Sequence, residues 1–249
     1  MADAVANGFR RVAVIMAMHD EARPVVERLG AEPTPHPHDR FHDWFTTSLG
    51  GDDRTGEVLV AVNAPDRQHG VPGIGPEPAV ITTLHVLEHW APDLVVSAGT
   101  AGGWASKGGS VGSVVLGGPH VVRHDRRIAI AGFDRFGIGS FPCVELDHHA
   151  DLLGATVGVV TTGGSLDEMP SDRAMIDASG AIAKDMEAAA VAHVCSAWGT
   201  PFAALKVLTD LHDAPTSTAA QFERNLATAS TILADRLVTL LSELVAGRR

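Results

Sequence analysis

The sequence predicts one α/β domain built around a largely buried sheet that is mixed or parallel. Short apolar runs rich in β-branched residues alternate with segments whose apolar residues recur at helical spacing, a pattern typical of α/β folds. The 249 residues suit one such domain, and no internal repeat, charge block or long linker divides them. We therefore expect residues 1–249 to form a single domain, with residues 1–10 flexible.

The first half of the chain predicts strands over residues 12–16, 58–62 and 94–98. A helix follows the first strand and stops at Gly30. Because Pro24 fits only in a first helical turn, we place the start of this helix near Ala22. Residues 34–40 and 71–78 are rich in Pro and predict loops, residues 79–90 predict a helix, and residues 99–103 predict a glycine turn.

The second half predicts strands over residues 111–116, 157–161 and 203–208. A flexible turn follows at residues 162–165, and an Ala-rich helix ends near Gly199. The last 30 residues predict a long amphipathic helix. Its buried face comprises Phe222, Leu226, Ile232, Leu233, Leu237, Leu240, Leu241 and Leu244.

Composition narrows the class of protein. The formal net charge of −11 argues against nucleic acid as a partner, because such proteins usually carry a basic patch. The start of the chain lacks an apolar signal core, and no apolar run approaches the roughly 18 residues of a membrane span. Cys143 and Cys195 are too few for a disulfide framework. We expect a cytoplasmic enzyme or binding protein without a membrane partner.

Three acidic residues, Glu21, Glu187 and Asp210, follow predicted strands or open predicted helices. Each alone is typical of a helix cap or of a charge that complements the helix dipole. Ligands of open α/β sheets bind beyond the carboxyl ends of the strands, however, and cleavage of a glycosidic bond needs paired carboxyl groups. The three acids together therefore indicate a candidate catalytic site.

Other chemistries find less support in the sequence. Among the thirteen His residues, neither the pair at 148–149 nor His36 with His38 has an established zinc spacing, so we predict no metal site. The glycine turn at residues 99–103 is neither a P-loop nor a dinucleotide fingerprint, and we predict no cofactor. No GxSxG elbow presents a serine nucleophile.

Six segments form a recognisable pattern by their order and spacing, namely AMHDEARPVV (17–26), SAGTAGG (97–103), VVRHDRRIAI (121–130), TTGGSLD (161–167), KDMEAAAVAHV (184–194) and LKVLTDLHD (205–213). Together they resemble the methylthioadenosine/S-adenosylhomocysteine nucleosidases of the nucleoside phosphorylase superfamily, and look most like their plant-type branch. The resemblance implies a three-layer sandwich with a central mixed sheet flanked by helices, hydrolysis of an N-ribosidic bond with release of adenine, and a homodimer.

The resemblance also implies a role for each acid. Glu21 matches the residue that activates the attacking water, and Asp210 matches the residue that protonates N7 of the leaving adenine. Glu187 matches the acid that holds the ribose hydroxyls. Thr209 and Lys206 are expected to support Asp210.

The same resemblance implies further contacts with a nucleoside substrate. The backbone of Leu166 and Asp167 is expected to hydrogen-bond the adenine edge. Met186 is expected under the sugar, and Met18 beside the ribose or its 5′ substituent. The remaining expected lining residues are Thr100, Ala101, Gly102, Lys184 and Asp185.

Two departures from the family pattern bear on the substrate pocket. Gly164 stands where the family usually has Asp in the adenine loop, and the aromatic residue that closes the 5′ pocket in common bacterial members has no counterpart near Thr218 and Ala219. We therefore expect a different or more open 5′ pocket, to which Phe133 and Phe136 contribute across a dimer interface.

Three alternatives stay open at this point. A phosphorylase would use phosphate instead of water and would need a basic anchor near a glycine loop, for which Arg67 with residues 73–75 is the candidate. A second alternative keeps the hydrolysis but changes the substrate to aminodeoxyfutalosine. A nucleoside-binding protein without activity is the third, and the presence of all three acids argues against it.

Overall fold

A computed structural model describes residues 8–51 and 54–247 of the chain. The described strands are β1 (Arg11–Met16), β2 (Glu32–Pro33), β3 (His42–Gly51), β4 (Arg54–Asn63), β5 (Leu94–Gly103), β6 (Val114–Arg123), β7 (Phe141–Pro142), β8 (Ala155–Thr162), β9 (Ala183–Asp185) and β10 (Phe202–Leu211). The described α-helices are α1 (His19–Leu29), α2 (Pro76–His89), α3 (Phe133–Ile138), α4 (Ala150–Leu153), α5 (Pro170–Ser179), α6 (Ala188–Trp198) and α7 (Thr218–Ala246).

The strands form one mixed sheet. Strand β1 lies between β4 and β5 and is parallel to both, while β3 and β2 extend the sheet beyond β4 in antiparallel fashion. At the other end, β5 pairs with β10, β10 with β6, β6 with β8, β8 with β9, and β9 returns to β5. These five strands therefore close into a ring.

Helices cover both faces of the sheet, which confirms the three-layer sandwich. Alternate residues of β1, β4 and β5 pack on one face against α1 and α7, with Val14, Val60 and Val96 among the buried side chains. The intervening residues pack on the other face against α2 and α6, as Ile15 does. Burial on both faces explains why these strands are continuous apolar runs.

Helices α1 and α2 begin earlier in the chain than we predicted from the positions of their prolines. Helix α1 starts at His19 and carries Pro24 in its interior, whereas the sequence placed the start near Ala22. Helix α2 starts at Pro76, so the predicted loop over residues 71–78 ends at Gly75. Proline at a first helical position loses no hydrogen bond, which explains the start of α2. The earlier start of α1 places Glu21 inside its first turn.

Strand β3 was not predicted from the sequence, and several other strands are longer than predicted. Strand β3 runs antiparallel to β4 along ten paired positions. The segment carries no clean alternation of apolar and polar residues, because the polar residue His42 is buried while the apolar residue Phe45 is only half-buried. The predicted strand over residues 111–116 begins only at Val114, since Gly112 adopts a left-handed conformation with φ +87°.

The start of the described chain is packed rather than loose. Phe9 is buried in the core, and its backbone N–H donates to the carbonyl of Leu244 in α7. The expectation of a flexible segment is therefore wrong for Phe9, while residues 1–7 lie outside the described residues. Within the described ranges, no helix combines the length and apolar character needed to cross a bilayer.

Candidate active site

A cavity of about 280 Å³ lies at the carboxyl ends of β1, β5 and β10. The close approach of these parallel strands brings together residues that are far apart in the sequence. Every site residue predicted from the sequence lines this cavity except Asp167. The predicted residues that line it are Met18, Glu21, Thr100, Ala101, Gly102, Leu166, Lys184, Asp185, Met186, Glu187, Lys206, Thr209 and Asp210.

Glu21 is held on the cavity wall by Thr100. The residue lies in the first turn of α1, directly after β1, and its side chain is buried. The backbone N–H of Thr100 donates to Glu21 Oε1 at 2.8 Å, and the Thr100 hydroxyl donates to the same oxygen at 2.5 Å. Burial raises the pKa of Glu21, and the two hydrogen bonds from Thr100 oppose that rise. The carboxyl group is therefore fixed in orientation and suited to exchanging a proton.

A buried ion pair between Lys206 and Asp185 forms the floor of the cavity. Lys206 Nζ lies 2.7 Å from Asp185 Oδ2 and donates to the Ser97 hydroxyl at 3.1 Å. Asp185 also accepts from the Thr162 hydroxyl at 2.6 Å and from the backbone N–H of Ala188 at 2.8 Å. Burial acts to lower the pKa of Lys206, but the nearby carboxylates, first Asp185, outweigh it and raise that pKa.

This ion pair corrects one expectation, since Lys206 does not support Asp210. Residues four apart on a strand are separated by roughly 13 Å, so the two side chains attach to different parts of the site. The cation that acts on Asp210 is Lys184, which lowers the pKa of that carboxyl group against the larger effect of burial.

Glu187 is tied to the loop that precedes α2. It occupies the N-cap position of α6, but its side chain turns away from the helix, and its Oε1 accepts from the backbone N–H of Gly75 at 2.7 Å. Burial, followed by repulsion from Asp185, raises the pKa of Glu187 to about 7. The carboxyl group therefore titrates near neutral pH.

Asp210 presents an unpaired oxygen to the cavity region. Its Oδ1 accepts from the Thr209 hydroxyl at 2.8 Å, while its buried Oδ2 has no hydrogen-bond partner. Burial raises the pKa of Asp210, with Thr209 and Lys184 opposing the rise. A buried carboxyl group with a raised pKa and one unpaired oxygen is suited to hold and give a proton.

Lys184 fixes the loop that follows β8. Its Nζ donates to the carbonyl oxygens of Ser165 and Leu166, each at 2.8 Å. Burial lowers the pKa of Lys184, and nearby acids, first Glu168 and then Asp210, oppose that effect. The loop backbone around Leu166 is thereby held at the cavity wall.

Residues 99–103 continue strand β5, so the predicted glycine turn is wrong. A Cβ at Gly102 would stand 2.4 Å from His212 Nε2 and 2.7 Å from Asp210 Oδ2. A Cβ at Gly99 would stand 3.2 Å from Glu21 Oε2. The glycines are needed because functional side chains from neighbouring elements pass directly over the strand.

Comparison with known proteins places this arrangement in a family. Residues 11–242 match the model of the phosphorylase superfamily. The chain belongs to that superfamily. It is 34% identical over 238 residues to the 5′-methylthioadenosine nucleosidase of Arabidopsis thaliana, covering 95% of this chain and 88% of the relative. It is 33% identical over 241 residues to a 5′-methylthioadenosine/S-adenosylhomocysteine nucleosidase of the same plant, covering 95% and 92%.

Solved structures of the superfamily agree with this assignment. The apo structure of Arabidopsis thaliana 5′-methylthioadenosine nucleosidase superposes with a TM-score of 0.89 at 32% identity, covering 97% of this chain and 98% of that one. A crystal structure of an MTA/SAH nucleosidase gives a TM-score of 0.87 at 31% identity, covering 95% and 96%. The resemblance stated from the sequence motifs, including its plant-type character, is confirmed.

Asp167 is the predicted site residue that this superfamily fold does not place in the main cavity. It lines a second cavity of about 390 Å³, together with Glu168, Arg173 and His212. The backbone turns after Leu166, so consecutive side chains of the loop face different spaces. Only the backbone of Asp167 thus stays a candidate for contact with a ligand in the main cavity.

Several residues that line the main cavity were not predicted from the sequence. Asn63 ends strand β4 beside β1, and the rule that ligands bind beyond strand ends points to it. His212 lies within the recognised LKVLTDLHD segment but was given no role. The apolar residues Val71 and Ile74 come from the loop before α2, and no sequence signal indicated that this loop reaches the cavity.

The two departures from the family pattern have structural counterparts. The backbone N–H of Gly164 donates to Asp125 Oδ2 at 2.6 Å, so a neighbouring loop supplies a carboxylate next to the loop that follows β8. Phe222 lines the main cavity from α7, one helical turn beyond Thr218. The expectation that this wall lacks an aromatic side chain is therefore wrong. Phe133 and Phe136 are exposed and do not line the cavity.

Five histidines gather at the edge of the sheet, away from the main cavity. His38 Nε2 lies 2.9 Å from His89 Nε2, and His42 Nε2 lies 3.0 Å from His85 Nδ1. The ring of His36 stacks on that of His42 at a centroid distance of 4.6 Å. Even so, no three His, Cys, Asp or Glu side chains within the described ranges are arranged to hold a metal ion.

Proposed function

We propose that this chain hydrolyses the N-ribosidic bond of 5′-methylthioadenosine, S-adenosylhomocysteine or both, releasing adenine and the 5-thioribose. The observation that carries the proposal is the convergence of Glu21, Glu187 and Asp210 on one cavity. Relatives that are named for these two substrates and match over most of their length support it.

In the proposed reaction, each acid acts on a different part of the nucleoside. Glu21 takes a proton from a water molecule as the water oxygen bonds to C1′ of the ribose. The electron pair of the broken C1′–N9 bond stays with adenine, and Asp210 gives a proton to N7. Glu187 accepts hydrogen bonds from the ribose hydroxyls. General acid or base catalysis of this kind typically accelerates a reaction by roughly 10²–10⁴-fold, and we expect an effect of that order from Glu21 and from Asp210.

The electrostatics of the cavity suit this reaction. The transition state resembles an oxocarbenium ion, which nearby carboxylates stabilise. The positive charge of Lys206 offsets part of the negative charge of Asp185, Glu187 and Glu21, which helps to keep these acids close together in a buried place. Burial raises the pKa values of Glu21 and Asp210, so each carboxyl group holds a proton more readily than a solvated carboxyl group does.

Two observations favour water over phosphate as the attacking group. Arg67, the expected phosphate anchor, is exposed and does not line the main cavity. The Gly75 backbone N–H already donates to Glu187, so the glycine loop offers a carboxylate rather than a vacant amide at this point. Hydrolysis is therefore the proposed chemistry.

Adenine release from a panel of nucleosides tests the proposal. The panel comprises 5′-methylthioadenosine, S-adenosylhomocysteine and aminodeoxyfutalosine, each with and without phosphate. We expect adenine from one or both thioethers at a rate that phosphate does not change. A rate that requires phosphate would indicate a phosphorylase, and cleavage of aminodeoxyfutalosine alone would change the substrate. Measurable binding without any cleavage would indicate a binding protein.

We further propose a cytoplasmic homodimer that acts in methionine salvage. Cys143 and Cys195 are free thiols, which fits a reducing compartment. The exposed apolar side chains of Ile130, Phe133 and Phe136 offer a surface for a second copy. Light scattering of the purified chain tests the dimer: Phe133→Asp with Phe136→Asp is expected to give monomers, and cell fractionation tests the compartment.

A further inference from the structure

His212 separates the main cavity from the second cavity. It is the residue that lines both, within the part of the chain that the structure describes. Its side chain is only 4% exposed, and its ring stacks on Trp104 at a centroid distance of 5.4 Å. On one side His212 borders the main cavity, which Asp210 also lines, and on the other side it borders the second cavity, which Glu168 also lines.

The two ring nitrogens of His212 point to two different carboxyl groups. His212 Nδ1 lies 3.1 Å from Glu168 Oε1, and His212 Nε2 lies 3.8 Å from Asp210 Oδ2. Both carboxyl oxygens are buried and neither forms an aligned hydrogen bond. Catalytic hydrogen bonds are often long in unliganded enzymes and tighten when substrate binds. A buried imidazole between two unpaired carboxyl oxygens thus calls for an explanation.

Glu168 connects the group formed by Asp210, His212 and Glu168 to the second cavity. Glu168 Oε2 lies 3.0 Å from Arg173 Nε, and the Glu168 side chain is 10% exposed. The cavity beside it has a volume of about 390 Å³, which is ample for water. Glu168 therefore has contact with solvent by a route that does not pass through the main cavity.

The reaction proposed above creates a need for such a route. Asp210 loses its proton to adenine in each turnover, and its side chain is only 3% exposed. A purine bound against Asp210 covers the carboxyl group from the main cavity. The proton must therefore be replaced either after the purine leaves or from behind.

We propose that His212 and Glu168 return a proton to Asp210 from the second cavity. This inference rests on the proposed hydrolysis. After Asp210 protonates adenine, Nε2–H of neutral His212 gives its proton to Asp210 Oδ2, and His212 Nδ1 takes the proton of the Glu168 carboxyl group. Glu168 then takes a proton from solvent in the second cavity. After the products leave, Nε2 of His212 takes a proton from water in the main cavity, and Nδ1 gives its proton through Glu168 to solvent in the second cavity, which restores the first tautomer.

The protonation states of the relay suit this sequence. Burial lowers the pKa of His212 to about 3, which keeps the ring neutral, with one N–H and one lone pair, at neutral pH. Burial raises the pKa of Glu168, with Arg173 opposing the rise, so this carboxyl group exchanges protons closer to neutrality. Both residues act through Asp210 and are positioning residues, distinguished from passive supports by the proton they pass.

Rapid-quench measurement of adenine release from His212→Gln tests the relay. Glutamine can hydrogen-bond both neighbours but cannot exchange protons between two nitrogens. We expect the first turnover within about twofold of wild type and later turnovers slowed by roughly 10²-fold, the lower end of general acid–base effects. Glu168→Gln is expected to show the same burst. Imidazole added to His212→Ala is expected to restore the later turnovers.

Each other outcome overturns a defined part of the reasoning. Equal slowing of the first and later turnovers would make His212 a structural support for Asp210, and wild-type rates throughout would remove it from the reaction. Thr218→Ala, a change in the same second cavity, serves as the matched control and should show no burst. Matching urea midpoints for all variants exclude misfolding. Failure of the wild-type chain to release adenine would instead refute the proposed hydrolysis.

Discussion

Replacing Lys206 by Met removes the cation from a buried cluster of acids. The Met side chain has a similar length, so the change deletes a charge with little loss of volume. Asp185 then keeps hydrogen bonds from Thr162 and Ala188 but loses its ion-pair partner at 2.7 Å. Glu187 and Glu21 lose the same neighbouring charge.

The expected cost follows from the burial of both partners. The side chains of Lys206 and Asp185 are 2% and 0% exposed, so water cannot replace the missing partner. Breaking a buried pair from one side costs about 3–5 kcal/mol, a large part of the roughly 5–15 kcal/mol that stabilises a typical domain. Asp185→Asn should cost less, because Lys206 keeps the carboxylates of Glu187 and Glu21 as counter-charges.

Urea unfolding of a double-mutant cycle measures this effect. We expect the Lys206→Met/Asp185→Asn chain to be more stable than the sum of the single changes by about 2 kcal/mol, within the range seen for directly contacting residues. The view that Lys206 stabilises the buried acids would be refuted by either of two results. One is that the unfolding free-energy changes of the two single variants add up to that of the double variant within about 0.5 kcal/mol, and the other is that Lys206→Met costs less than about 1 kcal/mol.

Three other experiments test the site and the fold. Glu21→Gln and Asp210→Asn should each lower kcat for adenine release by roughly 10²–10⁴-fold, and activity within a few-fold of wild type would remove that residue from the mechanism. Gly102→Ala should lower kcat while leaving the chain folded, because the new Cβ meets His212 Nε2 at 2.4 Å and Asp210 Oδ2 at 2.7 Å; unchanged kinetics would show that both side chains can move aside. Burial lowers the pKa of His42 to about 3, so only the unfolded chain takes up this proton as the pH falls below the ordinary value of about 6.5. The free energy of unfolding should therefore be about 2 kcal/mol lower at pH 5 than at pH 7.5 from His42 alone, and His42→Gln should reduce that difference.

The sheet was predictable where burial and local pattern agree. Strands β1, β4 and β5 are apolar because both of their faces are covered, and such runs are visible in the sequence. Strand β3 was not predictable, since Trp44 is buried by a stack with His36 that no local pattern reveals. The strand conformation of residues 99–103 was also not predictable, because the glycines there leave room for side chains that come from distant segments of the chain.

The site was predictable to the extent that it follows the ends of strands and the recognised segments. Glu21 follows β1 and Asp210 lies one residue before the end of β10, and both positions can be predicted from the sequence alone. The partner of Lys206 was not, because pairing depends on the register between strands rather than on spacing along one of them. His212 was overlooked because its significance lies in facing two cavities, which is a property of the folded chain only.

Closure of the strands into a ring has a consequence for motion at the site. Strand β10 carries Lys206, Thr209 and Asp210. Residues 205–207 of this strand have a paired strand on each side, β5 and β6, whereas Asp210 pairs with β5 alone, beyond a shift in register. The amides of residues 205–207 therefore cannot exchange with solvent by peeling from a sheet edge, and their exchange should track global unfolding. The proposed proton donor, Asp210, is thus anchored next to one of the last segments of the sheet to open.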